Sequence, residues 1–253
     1  MNIRVLGCHG GELPRFRTTS FLINRSIVLD AGAITGVLDL QEQIRIQHII
    51  LTHAHADHSR DLMFLADNVI GAGGDGFTIY SISPVLKDIK RYLFNWHIWP
   101  DLTELPTKKE PIIKMKSIGN KHTAQISGVK VTLCMVNHTV PTAGVIIDDD
   151  NSSVVFSGDT APTDSLWEMA RKKKNLKAMF IECSYPNGKK ALASLSKHLT
   201  PRLLGQEVKK IRKDIKIYVY HIKPQFYKQV VKELKQEHLQ NMKIVRLNEV
   251  IKI

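Results

Sequence analysis

Thr52-His53-Ala54-His55-Ala56-Asp57-His58 is the stretch on which the reading of this chain turns. It follows directly on the apolar run His48-Ile49-Ile50-Leu51 and precedes a helical pattern, Arg60-Asp61-Leu62-Met63-Phe64-Leu65. Three imidazoles and a carboxylate therefore sit on a strand-to-helix loop. In extended backbone, residues i and i+2 point the same way, so His53 and His55 can grip one cation. Asp57 and His58 lie where the chain turns into the helix and can face a neighbouring second cation. Imidazole with carboxylate suits zinc, and manganese or iron less specifically. The competing reading is a surface loop that merely happens to be rich in histidine. Four ligand-type side chains within residues 53–58, capping a buried strand, argue against it.

Working outward, three later strand candidates each end in a further ligand-type residue. Val131-Thr-Leu-Cys-Met-Val-Asn137 runs into His138, Val154-Val-Phe-Ser-Gly158 into Asp159, and Ile217-Tyr-Val-Tyr220 into His221. In α/β folds, sites gather beyond the carboxyl ends of strands. The seven candidates divide into His53, His55 and His138 on one metal and Asp57, His58 and His221 on the other, with Asp159 bridging. Alone, His138 or His221 reads as a structural histidine; the shared strand-end placement reverses that.

The rest of the chain sets the frame. Its 253 residues are 43% hydrophobic, enough to bury a full core without staples. Strands are expected over 3–6, 20–23, 26–29, 46–51, 78–81, 129–136, 143–147, 154–157, 178–182, 215–220 and 243–245. Asp148-Asp149-Asp150-Asn151 reads as a hairpin turn. Helices are expected from a capping box at Ser165-Leu-Trp-Glu168, over about 201–213, and from Pro224 with Phe226, Val230, Leu234 and His238 at intervals of four. A further helical piece covers 84–94. Alternating strands and helices without a linker predict one α/β domain over 1–253. The stretch at about 68–121, with its glycines, Trp96 and Trp99, reads as an insertion-like region over one face of the core.

Several classes fall away. No apolar run approaches a membrane span, and the N-terminus reaches Gly7 too soon for a signal peptide. Cys8, Cys134 and Cys183 are widely spaced and odd in number, so buried thiols and a reducing, cytoplasmic setting are expected. Basic residues number 36 against 24 acidic, a net charge of +12, and residues 128–253 carry +10 of it. That favours anionic partners. Much of it sits at helix ends, Arg171–Lys174 and Lys209, Lys210, Arg212 and Lys213, where cations complement the helix dipole.

His-x-His-x-Asp-His, a single His, a Gly-Asp-Thr and a late strand-end His together resemble the signature of the metallo-β-lactamase superfamily, over nearly the whole chain. The resemblance implies an αββα four-layer sandwich with a two-metal site along one edge. Asp159 stands where true zinc β-lactamases have a cysteine, which argues against antibiotic hydrolysis. Within the superfamily the chain looks most like class II cyclic-nucleotide phosphodiesterases. The segments that carry this are Leu6-Gly7-Cys8-His9-Gly10-Gly11, Phe94-Asn95-Trp96-His97-Ile98-Trp99-Pro100-Asp101-Leu102, Phe180-Ile181-Glu182-Cys183-Ser184-Tyr185, His198-Leu199-Thr200-Pro201 and His221-Ile222-Lys223-Pro224. Lys197 departs from the glycine expected before the histidine.

The activity implied is hydrolysis of 3′,5′-cyclic nucleotides (cAMP or cGMP) to 5′-nucleotides by a hydroxide bridging two divalent metals, most simply Zn2+, about 3.5–4 Å apart. Asp57, Asp159 and His198 form the candidate catalytic set, with His198 protonating the leaving alkoxide; a helix-capping or surface role is its alternative. Thr160 is a candidate contact to a ligand or a plain turn residue, and Glu182 and Ser184 are candidates to steady the ligand histidines. Lys223 is a candidate phosphate contact. His9 and Asn137 border the site. Phe94, Trp96 and Trp99 could stack on a purine, or anchor the insertion or a homodimer interface. The partner is a small phosphodiester anion and no membrane. The main alternative is a tRNA 3′-processing endonuclease of the same superfamily, the case in which nucleic acid would be the partner. A non-catalytic binding protein is disfavoured because all seven positions are filled. A di-iron redox relative is disfavoured because His55 stands where a Glu is expected.

Overall fold

Residues 178–181 show how alternation builds the layers. Ala178 and Phe180 join a core between two sheets, whereas Met179 and Ile181 pack on the opposite side with Leu166, Trp167, Leu204, Val230 and Leu234 from helices. Successive side chains leave a strand on opposite faces, so an unbroken apolar run feeds two layers at once. Tyr218 and Tyr220 face inward in the same way, and Ile217 and Val219 outward.

The computed structural model describes residues 1–211 and 214–253. Its strands are β1 (Asn2–Gly7), β2 (Ser20–Ile23), β3 (Ile27–Leu29), β4 (His48–Ile50), β5 (Phe77–Ser81), β6 (Ile113–Ser117), β7 (Thr123–Ile126), β8 (Val129–Met135), β9 (Ala143–Asp148), β10 (Ser153–Phe156), β11 (Leu176–Glu182), β12 (Lys216–Tyr220), β13 (Met242–Ile244) and β14 (Val250–Lys252). The helices are α1 (Leu40–Ile44), α2 (Ala56–Ser59), α3 (Asp61–Gly71), α4 (Ser83–Tyr92), α5 (Ser165–Arg171), α6 (Lys190–Leu195), α7 (Pro201–Val208) and α8 (Tyr227–Gln236). One seven-stranded sheet has the order β14-β1-β2-β3-β4-β5-β6 and the other β13-β12-β11-β10-β9-β8-β7. β14 to β3 pair antiparallel and β3 to β6 parallel. β7 to β10 repeat the antiparallel half and β10 to β13 the parallel one.

The two sheets face each other across one core cluster, with α3 and α4 contributing Leu62, Leu65, Val85 and Ile89 to the first sheet. Phe21 reaches across from β2, its ring centroid 5.2 Å from Phe156, 5.5 Å from Phe180 and 5.4 Å from Tyr220. Burying a ring of this size stabilises by about 1.5–3 kcal/mol. The layers are therefore helix, sheet, sheet and helix, the αββα sandwich expected.

Several local expectations shift. β6, β7 and β14 are additional strands at or near sheet edges, half-exposed. Their lysines and polar residues blunt the apolar alternation, as edge strands commonly do. The stretch at 68–121 is woven into the first sheet: β5, α4 and β6 make a parallel crossover unit, and 93–112 is its longest piece outside helix or strand. At α5 the expected capping box is absent. Asp164 is the N-cap without a side-chain bond, while Thr163 N and Trp167 Nε1 donate to Glu207 Oε2 at 3.0 and 2.6 Å. A capping box instead opens α1, between Asp39 and Glu42. α7 ends at Val208, short of the helix expected to 213: residues 209–211 form a turn and bend, and Arg212 and Lys213 lie outside the described residues. Pro224 opens a single 3₁₀ turn before α8, whose Val230 and Leu234 are buried; His238 falls beyond its end. The hairpin at 148–151 joins antiparallel β9 and β10 as expected. Cys8, Cys134 and Cys183 are free and buried. Among the described residues no helix is long and apolar enough to cross a membrane.

Candidate active site

The loop after β4 is shaped from beneath. Thr52 N donates to Asp30 Oδ1 at 2.8 Å and Thr52 Oγ1 donates to both Asp30 oxygens. That pins the strand end, so His53 and His55 follow in extended chain. His55 is the N-cap of α2 (φ −58°, ψ 146°), and this one-turn helix swings Asp57 and His58 inward. In the second half, β10 ends at Phe156, and Gly158 turns the chain with φ +61° to deliver Asp159. At the end of β12, His221 itself has φ +64°, and Gly10 lies against its ring. A Cβ on Gly10 would stand 2.9 Å from His221 Nε2.

These elements bring all seven candidates together. His53, His55, His138 and Asp159 form one group of potential ligand atoms, and Asp57, His58 and His221 another. His55 Nδ1 lies 3.1 Å from His53 Nε2 and 3.4 Å from His138 Nε2. Asp159 Oδ2 stands between the groups, 3.6 Å from His53 Nε2, 3.4 Å from His58 Nε2 and 3.1 Å from His221 Nε2. Asp57 Oδ2 is 3.7 Å from His221 Nε2 and 4.0 Å from His58 Nε2.

Each ring but one is held from behind through Nδ1. Thr52 Oγ1 meets His53 at 2.9 Å, Asp30 Oδ2 meets His58 at 2.8 Å, Thr19 Oγ1 meets His221 at 2.8 Å, and the Lys197 carbonyl accepts from His138 at 3.1 Å. Outer partners of this kind fix ring orientation and tautomer in metal sites. His55 is the exception and turns Nδ1 inward.

Cations fit this pocket. Among the described residues His58 Nε2, His221 Nε2 and Asp159 Oδ1 are buried without a hydrogen-bond partner, although Asp159 Oδ2 is near both histidines. Buried polar atoms are normally paired, so three unpaired ones converging from one helical turn and two strand ends mark a place for a bound charge. Burial, and then the neighbouring His58, hold the His53 imidazole well below its ordinary pKa. Burial also lowers His55 and His138 against the pull of Asp159. Burial thus favours the neutral, ligand-ready form of all three. Burial disfavours charge on His58 too, but Asp159, Asp30 and Asp57 outweigh it and raise its pKa well above the usual value. Burial opposes ionisation of Asp57 and Asp159, yet the nearby histidines outweigh it and lower both. Three carboxylates around His58 make the pocket a site for positive charge.

His198 stands beside the same centre, with Asp159 and His221. Its Nδ1 lies 2.8 Å from Glu182 Oε1 and 3.1 Å from Ser184 Oγ, which leaves Nε2 for the centre. Burial lowers its pKa, but Glu182 more than compensates and raises it. Glu182 also accepts from Thr160 N and Leu199 N, so it steadies His198 and the Asp159 turn together. Ser184 Oγ reaches the His221 carbonyl at 3.1 Å. Thr160 has a turn role: its hydroxyl donates to Ala161 O and accepts from Asn137 N. Lys223 Nζ donates to Gly10 O at 2.8 Å and lies over the Tyr185 ring, so it braces the site wall. His9 is buried against Phe16, and burial brings its pKa down to about 4. Asn137 holds the His138 loop to Pro162. Phe94 is fully buried and Trp99 packs on Phe64, whereas Trp96 is exposed.

Asp30, Thr19 and the Lys197 carbonyl were not anticipated. Asp30 had a legible signal, since it ends β3 just as the ligand residues end their strands. Thr19 and Lys197 act through contacts distant in sequence.

A family profile described as the beta-lactamase superfamily domain matches residues 27–222, which contain the seven candidates and His198. A probable 3′,5′-cyclic-nucleotide phosphodiesterase of Yersinia pestis is 28% identical over 208 residues, 72% of this chain and 58% of that protein. A 3′,5′-cyclic-nucleotide phosphodiesterase of Aliivibrio fischeri is 25% identical over 266 residues, 86% of this chain and 78% of that one. The chain thus spans less than two thirds of the first relative's length. Unliganded yeast PDE1 superposes with a TM-score of 0.82 at 18% identity, covering 100% of this chain and 99% of that one. YhfI of Bacillus subtilis, a metallo-beta-lactamase fold protein, gives 0.79 at 17%, covering 99% of each. The short form of human tRNase Z gives 0.72 at 16%, covering 100% and 99%. Identities this low carry the fold alone.

Proposed function

The chain belongs to the beta-lactamase superfamily, and from that premise we propose that it hydrolyses 3′,5′-cyclic nucleotides to 5′-nucleotides with two divalent metal ions. His53, His55 and His138 would hold one ion, Asp57, His58 and His221 the other, and Asp159 both. Bound there, divalent ions supply Lewis-acid polarisation of a phosphoryl oxygen and bring the pKa of a coordinated water to about 7. Zinc suits this donor set best.

The observation that carries the proposal is the placement of His198. A histidine outside the two ligand groups stands next to Asp159 and His221, with Glu182 bonded to its far nitrogen. Glu182 favours the protonated form of that imidazole. In-line attack by water on phosphorus forms the new P–O bond and breaks the bond to the 3′ oxygen. That oxygen leaves as an alkoxide and takes the proton from His198 Nε2, while the proton lost by the attacking water passes to solvent, from which His198 is reprotonated, so a 3′-hydroxyl and a 5′-monophosphate result. The names of the two bacterial relatives support the substrate class.

The test assays Zn2+-loaded protein on 3′,5′-cyclic AMP, 3′,5′-cyclic GMP and a 3′-extended tRNA in parallel. Turnover of a cyclic nucleotide is expected; cleavage of the tRNA alone would replace this reading with RNA processing. His198→Gln should lower kcat about 10²–10⁴-fold while both zinc ions stay bound, as loss of a proton donor predicts. Unchanged kcat in that variant would remove His198 from the mechanism.

A further inference from the structure

A lysine occupies a backbone position built for glycine. Helix α6 ends in a Schellman arrangement: Lys197 N donates to Ser194 O at 3.3 Å and His198 N to Ala193 O at 2.8 Å. Lys197, between those bonds, has φ +52°. Left-handed residues at this place are usually glycine, because a Cβ crowds the carbonyl that follows. Here the side chain has a partner. Lys197 Nζ donates to the His138 carbonyl at 3.0 Å, while the Lys197 carbonyl accepts from His138 Nδ1 at 3.1 Å.

We infer that Lys197 is a positioning residue, a two-point clamp that sets the His138 ring toward the cation shared with His53 and His55. The inference rests on the ligand set proposed above. His138 needs such a clamp more than its fellows. It lies three residues beyond β8, in a loop without helix or strand. Its ring is held by a turn carbonyl, whereas those of His53, His58 and His221 are held by side chains of Thr52, Asp30 and Thr19, next to strand ends. The carbonyl bond sets the rotation of the His138 ring. The Nζ bond ties the His138 backbone to the end of α6 and closes the loop between them. Glycine at 197 would relax the turn and keep the first bond, but lose the second. Methionine would lose the second and keep the strain.

The test measures Zn2+ affinity by competition with a chromogenic chelator for wild type, K197G, K197M and K197R, with melting of the Zn2+-free proteins alongside. K197G and K197M should weaken one of two zinc equivalents about tenfold or more, the scale of losing an outer partner. The other equivalent should be unchanged, and K197R should recover most of the loss. K197G should still melt above K197M, because glycine accepts the left-handed turn without strain. A residue that served the turn alone would give K197G at least wild-type affinity for both equivalents. That result, or wild-type affinity in K197M, overturns the clamp and leaves the ligand set standing. A wild-type chain that takes up no zinc overturns the ligand set, and the clamp with it.

Discussion

The first sheet passes from three antiparallel pairings into three parallel ones, and the second sheet repeats that order. The two furnish the site in opposite ways. The first sends four candidate ligands from one loop after β4, a stretch of six residues whose shape one strand end and one helical turn decide. The second sends His138, Asp159 and His221 singly, from the ends of β8, β10 and β12. Local chemistry can assemble the first set. The second meets it only if three strands hold their register and the two sheets pack at the right separation.

Asp159 is the joint between the two, so the largest effect should come there. Asp159→Ala is expected to bring phosphodiester turnover below detection and to lose one equivalent of tightly bound metal, read by assay and by metal analysis of the dialysed protein. Two retained equivalents would show that Asp159 is not the joint between the two sets. Phe21→Ala attacks the packing that brings the sheets together and should cost about 3–5 kcal/mol in a urea titration, the usual range for a buried Phe. If the second set depends on sheet separation as argued, metal affinity in that variant falls as well.

Asp30→Asn and Thr19→Ala sharpen the comparison within the site. Each removes the outer partner of one ring, His58 in the loop and His221 at a strand end. Each should weaken metal binding about 10–100-fold by titration. Asp30→Asn should cost additional stability, because Asp30 also accepts from Thr52 N and Oγ1 and so pins the loop. The smallest effect is expected at Trp96, which is exposed outside both sheets. Trp96→Ala should move stability by less than about 0.5 kcal/mol. A rise in KM for cyclic nucleotide, with kcat kept, would return Trp96 to the role of base platform.

Much of this was legible in the chain. His53, His55, Asp57 and His58 announce themselves by spacing, and His138, Asp159 and His221 by following apolar runs. Such runs are easily read because strands buried on both faces leave few polar residues inside them. β6, β7 and β14 were missed for the converse reason: they are partly exposed, and their lysines and other polar residues interrupt the pattern. The stretch at 68–121 misled through composition. Its glycines and tryptophans suggested an appendage, yet Thr78-Ile79-Tyr80 and Ile113-Lys114-Met115 pair with neighbours inside the first sheet.

By itself the sequence determined which atoms were available to the site and at which strand ends, because donor type and strand period are local properties of the chain. Tertiary structure decided which nitrogen His58, His138 and His221 turn inward. That choice belongs to partners far away along the chain: Thr19 for His221, 202 residues apart, Asp30 for His58, 28 apart, and Lys197 for His138, 59 apart. A hydrogen bond needs its partners within about 3.2 Å. Only tertiary packing, strand on strand for Asp30 and His58 and sheet on sheet for Thr19 and His221, brings residues so distant in sequence to that range, and so turns a set of ligand-type side chains into a site with a direction.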